Sequence, residues 1–154
     1  MNLDADYKTV FKRAMRILAR RDHAKNELKI KLVNKAQDFE VVDKVIDKLE
    51  KNGYLDDKAF AVKYLRYRSE LGFGPKKIFA EMKNKGIDEQ NIQESFNQFD
   101  LSWVELAKYA FQKKFGGIKD VETNLKDYEK KTRFLAHRGF SYSDIKIVLG
   151  EHIL

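Results

Sequence analysis

Apolar residues along this chain recur every three or four positions, the period of one helical face. No stretch alternates in the two-residue rhythm of a half-buried strand. Val10, Phe11, Ala14, Ile17 and Leu18 define a first helix from about Tyr7 to Arg21, and Leu28 and Leu32 a second, with Asp22 as its expected cap. A third opens at Asp38, turns Val42, Val45, Ile46 and Leu49 inward, and stops at Asn52-Gly53. Asp56 or Asp57 caps the fourth, whose apolar stripe is Phe60, Tyr64 and Leu65, and Gly72 and Gly74 break it. Pro75 starts the fifth, since its missing amide hydrogen costs nothing at a first helical position, and Gly86 closes that helix.

The same grammar continues to the end. A sixth helix follows Asp88 and carries Ile92 and Phe96. Asp100 is the expected cap of a seventh, with Trp103, Leu106, Ala107, Ala110 and Phe111 at helical spacing, and Gly116-Gly117 ends it. The eighth, roughly Val121 to His137, is the most polar. Ser141-Tyr142-Ser143-Asp144 has the form of a capping box opening the ninth.

These helices repeat. A shift of 50 residues pairs Leu28 with Ile78, Leu32 with Met82, Asp38 with Asp88 and Val42 with Ile92. A shift of 53 pairs Met82 with Leu135, Gly86 with Gly139, Ile87 with Phe140 and Ile92 with Ile145. Glycines and caps fall into register along with the apolar positions, which amphipathicity alone would not produce. The expected fold is therefore all-α, an elongated, curved array of three tandem three-helix repeats over residues 1–52, 53–99 and 100–154. Tyr54, Leu55, Phe60 and Tyr64 are assigned to packing between repeats. Truncating Phe60 to Ala should cost about 3–5 kcal/mol if the ring is fully buried.

Composition narrows the setting. One proline in 154 residues suits helices, and the absence of cysteine excludes disulfides and thiolate chemistry. Mean hydropathy is -0.61, and no apolar run approaches the ~20 residues of a membrane span. Asp4 and Asp6 have the wrong sign for a signal-peptide start. A cytoplasmic address with no membrane partner is expected. Nothing resembles a coiled-coil seam, so a monomer is expected too.

Charge changes the picture. The net charge is +7, with 12 Lys and Arg against 7 Asp and Glu over residues 8–50, 9 against 8 over 51–100, and 10 against 7 over 101–154. Arg13, Arg16 and Arg20 share one side of the first helix, and Lys25 and Lys29 align on the second. The middle repeat offers Lys63, Arg66, Arg68, Lys76 and Lys77, and the last offers Lys126, Lys130 and Arg133. Each stripe is interleaved with carboxylates that can pair with it, so a solvated surface is the plain alternative. Stripes recurring in every repeat favour a long, negatively charged partner.

Catalytic constellations are missing. His23, His137 and His152 belong to separate repeats; His23 and Glu27 are one turn apart, but two ligands do not make a metal site, and a surface histidine is the expected reading. Gly72-Phe73-Gly74-Pro75-Lys76-Lys77 lacks phosphate-loop spacing and follows a helix rather than a strand. Free amides and the two lysines at that helix start would give it a modest anion affinity. No nucleophile, base and orienter come together, so no enzymatic activity, cofactor or metal is expected.

Gly53-Tyr54-Leu55-Asp56-Asp57, Phe60-Ala61, Tyr64, Arg66 and Arg68, continuing through Gly72-Phe73-Gly74-Pro75, Glu81-Met82 and Lys85-Gly86-Ile87, resemble the central signature of the RecX regulatory proteins. Leu18-Ala19-Arg20-Arg21-Asp22 and Glu27-Leu28 resemble the family's opening helices, and Leu135-Ala136-His137-Arg138-Gly139-Phe140 its closing unit. The resemblance implies a negative regulator of the RecA recombinase, with roles in homologous recombination, DNA repair and the SOS response. Such a protein binds the RecA filament on single-stranded DNA, blocks its extension, and inhibits its ATPase, strand exchange and coprotease activities; some members also bind DNA. The expected contact residues are the eleven basic side chains Arg13, Arg16, Arg20, Lys63, Arg66, Arg68, Lys76, Lys77, Lys126, Lys130 and Arg133. The rival reading is a sequence-nonspecific DNA-binding helical module that displaces RecA only by competing for phosphate. Two departures stand out. Ala36-Gln37 occupies the place of Gly86-Ile87 and Gly139-Phe140, so that turn should differ in geometry. Many relatives also carry an amino-terminal extension, so a short or trimmed member is expected.

Overall fold

A computed structural model describes residues 3–36, 38–116 and 125–153. Gln37, Gly117 and the expected start of the eighth helix at Val121 lie outside the described residues. Those described form nine α-helices and no strand: α1 (Leu3–Arg20), α2 (Lys25–Val33), α3 (Phe39–Lys51), α4 (Asp57–Glu70), α5 (Pro75–Asn84), α6 (Glu89–Gln98), α7 (Trp103–Phe115), α8 (Leu125–Arg138) and α9 (Tyr142–Ile153).

The chain divides into two compact units. The first holds residues 1–62 and 82–95, the second residues 63–81 and 96–154, so each of α4, α5 and α6 contributes to both. In the first unit Val10, Ala14, Leu28, Leu32, Val42, Val45, Ile46, Leu49 and Leu55 form a closed core of α1, α2, α3 and the turn after them. In the second, Ala107, Phe111, Leu135, Phe140, Ile145, Val148 and Leu149 do the same for α7, α8 and α9. Each fully buried leucine or isoleucine contributes about 1.5–3 kcal/mol, so the periodic apolar stripes account for both cores.

Four helices end the same way. After α8, the Phe140 amide donates to the Leu135 carbonyl at 3.2 Å and the Gly139 amide to Ala136 at 3.0 Å, with Gly139 at φ +100°. After α5, Ile87 donates to Met82 at 3.2 Å and Gly86 to Lys83 at 2.9 Å, with φ +78°. Gly53 and Gly72 close α3 and α4 in this pattern too. The left-handed residue satisfies carbonyls that the helix end leaves open.

At the amino ends, Asp38 caps α3, its carboxylate accepting from the Glu40 amide at 2.9 Å. Asp56 caps α4, accepting from Ala59 at 3.1 Å, and Ser141 accepts from Asp144 at 3.2 Å, the hydroxyl arm of the expected box. Two expected caps are corrected. The cap position of α2 is Ala24, not Asp22, and its amide is taken by the Glu27 carboxylate at 3.3 Å from inside the first turn. Ser102, not Asp100, caps α7 by accepting from Glu105 at 3.3 Å.

Burial corrects others. Tyr54 is 52% exposed and so cannot carry packing between repeats, whereas Leu55 is buried. Phe60 and Tyr64 are half-buried; the side chains α4 buries fully are Ala61, Leu65 and Ser69. His23 is not a surface residue, being 3% exposed. Its Nδ1 lies 3.0 Å from the Arg21 carbonyl and its Nε2 2.7 Å from the Lys31 ammonium. A neutral ring with the proton on Nδ1 satisfies both, and burial lowers its pKa below the ordinary value, assisted by the charges of Arg21 and Lys31.

Candidate binding surface

Each unit contains one place where a helix start meets the left-handed turn of another repeat, and the two are related by the internal repeat. In the first unit the start of α2 packs on the turn between α5 and α6. A β-carbon on Gly86 would lie 2.5 Å from Asn26 Nδ2. The Glu27 carboxylate accepts from Arg21 at 2.9 and 3.1 Å and from Lys85 Nζ at 2.7 Å. Burial pushes its pKa up, but the hydrogen bonds from Arg21 and Lys85 outweigh burial and hold it at about 2. The Lys25 amide donates to Asp57 Oδ1 at 2.8 Å. Burial dominates at Asp57 and raises its pKa despite that bond.

In the second unit the start of α5 packs on the turn between α8 and α9. The Gly74 amide donates to the Arg138 carbonyl at 2.6 Å and the Lys76 amide to the Gly139 carbonyl at 3.0 Å. A β-carbon on Gly74 would meet the Gly139 carbonyl carbon at 2.4 Å, and one on Gly139 would meet Lys77 Cβ at 2.5 Å. The anion affinity expected at this helix start is therefore corrected: carbonyls of α8 and its turn take the Gly74 and Lys76 amides, and Pro75 has none to give. After α2 the Lys35 and Ala36 amides donate to the Leu32 and Val33 carbonyls at 3.3 and 3.4 Å, and no described residue there has a positive φ, so the turn at Ala36 differs in geometry from those at Gly86 and Gly139.

Around that junction cations gather on one ring. Arg68, Lys77 and Arg138 approach the Phe73 centroid to 3.9, 5.2 and 4.7 Å. Arg68 is also held by Glu81 through two hydrogen bonds of 3.1 and 2.8 Å, a partner thirteen residues along the chain. Its guanidinium is thus committed to the fold.

The other basic residues divide by environment. Lys76 extends over Tyr142, 5.6 Å from a ring that is 62% exposed. Arg133 lines a cleft of about 490 Å³ with Tyr128, Glu129, Thr132, His137 and the same Tyr142. Lys126, Lys130 and Arg133 are exposed at one-turn intervals on α8. On α4, Lys63 and Arg66 are exposed, and Arg66 pairs with Asp100 at 3.3 Å. In the first unit Arg13 is half-buried and donates to the Lys31 carbonyl at 3.1 Å, whereas Arg16 and Arg20 are exposed. Lys25 and Lys29 pair with Glu50 and Asp43 at 3.4 and 2.9 Å, as an interleaved surface stripe allows. Tyr142 itself was legible as an aromatic beside a capping serine, yet only the fold brings Lys76 over its ring. Among the described residues no three His, Cys, Asp or Glu side chains gather as a metal site, and no helix is long and apolar enough to cross a membrane.

Comparisons with known proteins agree across the chain. Models of the RecX family match as its first three-helix domain at residues 11–49, its second at 56–95 and its third at 102–149. The chain is 34% identical to the regulatory protein RecX of Vibrio vulnificus, covering 90% of this chain and 89% of that protein. It is 33% identical to the regulatory protein RecX of Pseudomonas entomophila, over 89% and 87%. A crystal structure of RecX from Lactobacillus salivarius superposes with a TM-score of 0.79 over 96% of this chain and 97% of that one, and at 21% identity it speaks for the fold alone.

Proposed function

The chain belongs to the RecX family, and on that premise we propose that it is a non-enzymatic negative regulator of RecA. It binds the RecA filament on single-stranded DNA, blocks its extension, and so depresses ATP hydrolysis, strand exchange and coprotease activity. The functional repeats are taken as residues 1–52, 53–99 and 100–154. The observation that supports a defined contact surface is the docked start of α5. Backbone hydrogen bonds from Gly74 and Lys76 to the α8–α9 turn fix where α5 and its Lys76 and Lys77 begin, and Lys76 lies over Tyr142, at the edge of the cleft that Arg133 also lines. Preorganised cations lose little freedom on binding, and their electrostatic attraction to an acidic surface accelerates association. Arg16, Arg20, Lys63, Arg66, Lys126 and Lys130 extend the basic surface, while Arg68 and Arg13 serve chiefly to hold the fold.

The test is RecA's single-strand-dependent ATP hydrolysis with this protein titrated well below the RecA concentration. Strong inhibition at those ratios supports action on the filament. Inhibition only once the protein is abundant enough to coat the DNA, with steep loss on adding salt, would instead assign it to competition for phosphate.

A further inference from the structure

On the other flank of α8 the second unit carries a small basic pocket, separate from the surface around Lys76 and Tyr142. Its cavity of about 260 Å³ is lined by Leu71, Gly72, Tyr109, Ala110, Lys113, Lys114, Phe134 and Arg138, three of them cationic and none a carboxylate among the described residues. Gly72 and Ala110 give it depth: a β-carbon added at Gly72 would already lie 3.6 Å from Ala110 Cβ and 3.8 Å from Arg138 Nη1. Phe134 forms a wall, with Lys114 Nζ at 5.9 Å and the Arg138 guanidinium at 5.1 Å from its centroid. Tyr109 stands at the mouth, 59% exposed, one turn before Lys113 on α7.

An exposed aromatic ring beside several cations, with no carboxylate among the described lining residues, suits a planar, anionic ligand. The volume is below the roughly 300–1,000 Å³ usual for sites that enclose a drug-sized ligand, so it accommodates one ring system. We propose that this pocket binds a single nucleotide unit, its base stacked on Tyr109 and its phosphate held by Lys113, Lys114 and Arg138. That chemistry is shared by a free mononucleotide and by one residue of a single strand. Stacking tolerates any base, so the pocket has no sequence preference. The assignment stands apart from the RecA reading and needs no RecA to be tested.

The experiment is fluorescence anisotropy of a labelled oligothymidylate of about 15 nucleotides binding to the full chain and to Tyr109→Ala, Tyr109→Phe and Lys113→Glu/Lys114→Glu, with circular dichroism confirming helicity. Tyr109→Ala should weaken binding about 5- to 150-fold, the range that stacking of one base commands, while Tyr109→Phe stays near the parent. The double lysine variant should weaken binding as well and flatten its salt dependence. Thymidine monophosphate then separates the sources: displacement of the oligomer means the pocket accepts the free nucleotide, and no displacement means it engages the strand alone. Unchanged binding by Tyr109→Ala, or equal loss in the Ala and Phe variants, overturns the proposal. Loss on lysine reversal alone leaves only a phosphate patch and overturns it equally.

Discussion

Gly74 and Gly139 meet backbone to backbone: a β-carbon on the first would lie 2.4 Å from the carbonyl carbon of the second. Neighbouring amides complete the lock, with Gly74 donating to Arg138 at 2.6 Å and Lys76 to Gly139 at 3.0 Å. Precision at the proposed surface comes from this approach, because it fixes where α5 begins and hence where Lys76 and Lys77 stand.

The glycines separate two physical costs. Gly53 has φ +82°, and a β-carbon there would have nothing within 4 Å, so Gly53→Ala should cost only the left-handed backbone strain, about 1–2 kcal/mol. Gly74 has no positive φ, so Gly74→Ala should cost only the steric displacement, about 1–3 kcal/mol. Gly139 combines φ +100° with the 2.5 Å approach to Lys77 Cβ, and its alanine variant should be the least stable of the three. Urea unfolding of the three single variants checks the order. A Gly139→Ala protein no less stable than Gly53→Ala would show that the turn can yield.

Glu27 ties its own helix start and Arg21 to Lys85 and is only 14% exposed. Glu27→Gln should therefore destabilise the protein by about 2–3 kcal/mol, the scale of losing charged hydrogen bonds in a partly buried site. The pH dependence has a definite sign. The folded pKa of about 2 lies below the reference 4.5, so the unfolded chain binds more protons between them. The stabilisation is full above about pH 4.5 and is lost as pH falls toward 2. Unfolding free energy against pH should flatten in this window for Glu27→Gln, and an identical slope in both proteins would remove Glu27 from the account.

His23 acts in a higher window. Burial, the leading cause, lowers its pKa below the reference 6.5, so the unfolded chain again takes up protons first. Its contribution is complete above about pH 6.5 and declines as pH falls through the folded value. Protonation also places a second cation 2.7 Å from Lys31 Nζ. Stability should thus begin to fall just below pH 6.5, before Glu27 responds, and NMR titration of the His23 ring should give a midpoint below that of a histidine-containing peptide. A midpoint at or above the peptide value would mean the ring is charged and differently bonded.

Helix stops were legible because glycine at the end of a helix and proline at its start act within a few residues. Cap identity was less so. Asp22 and Asp100 looked like caps on residue type, but α2 opens at Ala24, whose own amide is taken by the Glu27 carboxylate, and Ser102 rather than Asp100 accepts from the first turn of α7. Arg68 illustrates the larger gap: its partner Glu81 lies beyond a turn whose geometry local spacing does not convey. The exposure of Tyr54 and the half-burial of Phe60 follow likewise from which faces of the repeats meet. Phe60→Ala should therefore cost less than the roughly 3–5 kcal/mol of a fully buried ring.

The proposed contact surface is tested most directly at Lys76 and Lys77. Both side chains are exposed, and the lock to the α8–α9 turn uses the Lys76 backbone, so Lys76→Glu/Lys77→Glu should keep its helicity. Glutamate at position 77 would also face Arg138 and Arg68 around Phe73, a favourable arrangement for folding. Reversal of two charges at an acidic interface should nevertheless raise the protein concentration giving half-inhibition of RecA ATP hydrolysis by about tenfold or more, mostly through slower association. Lys83 supplies the control, since it lies in the last turn of the same helix but pairs with Glu89. Reversing Lys83 should have little effect on inhibition. Equal inhibition by the Lys76→Glu/Lys77→Glu protein and its parent would take the start of α5 out of the interface and turn attention to Lys126, Lys130 and Arg133 on α8.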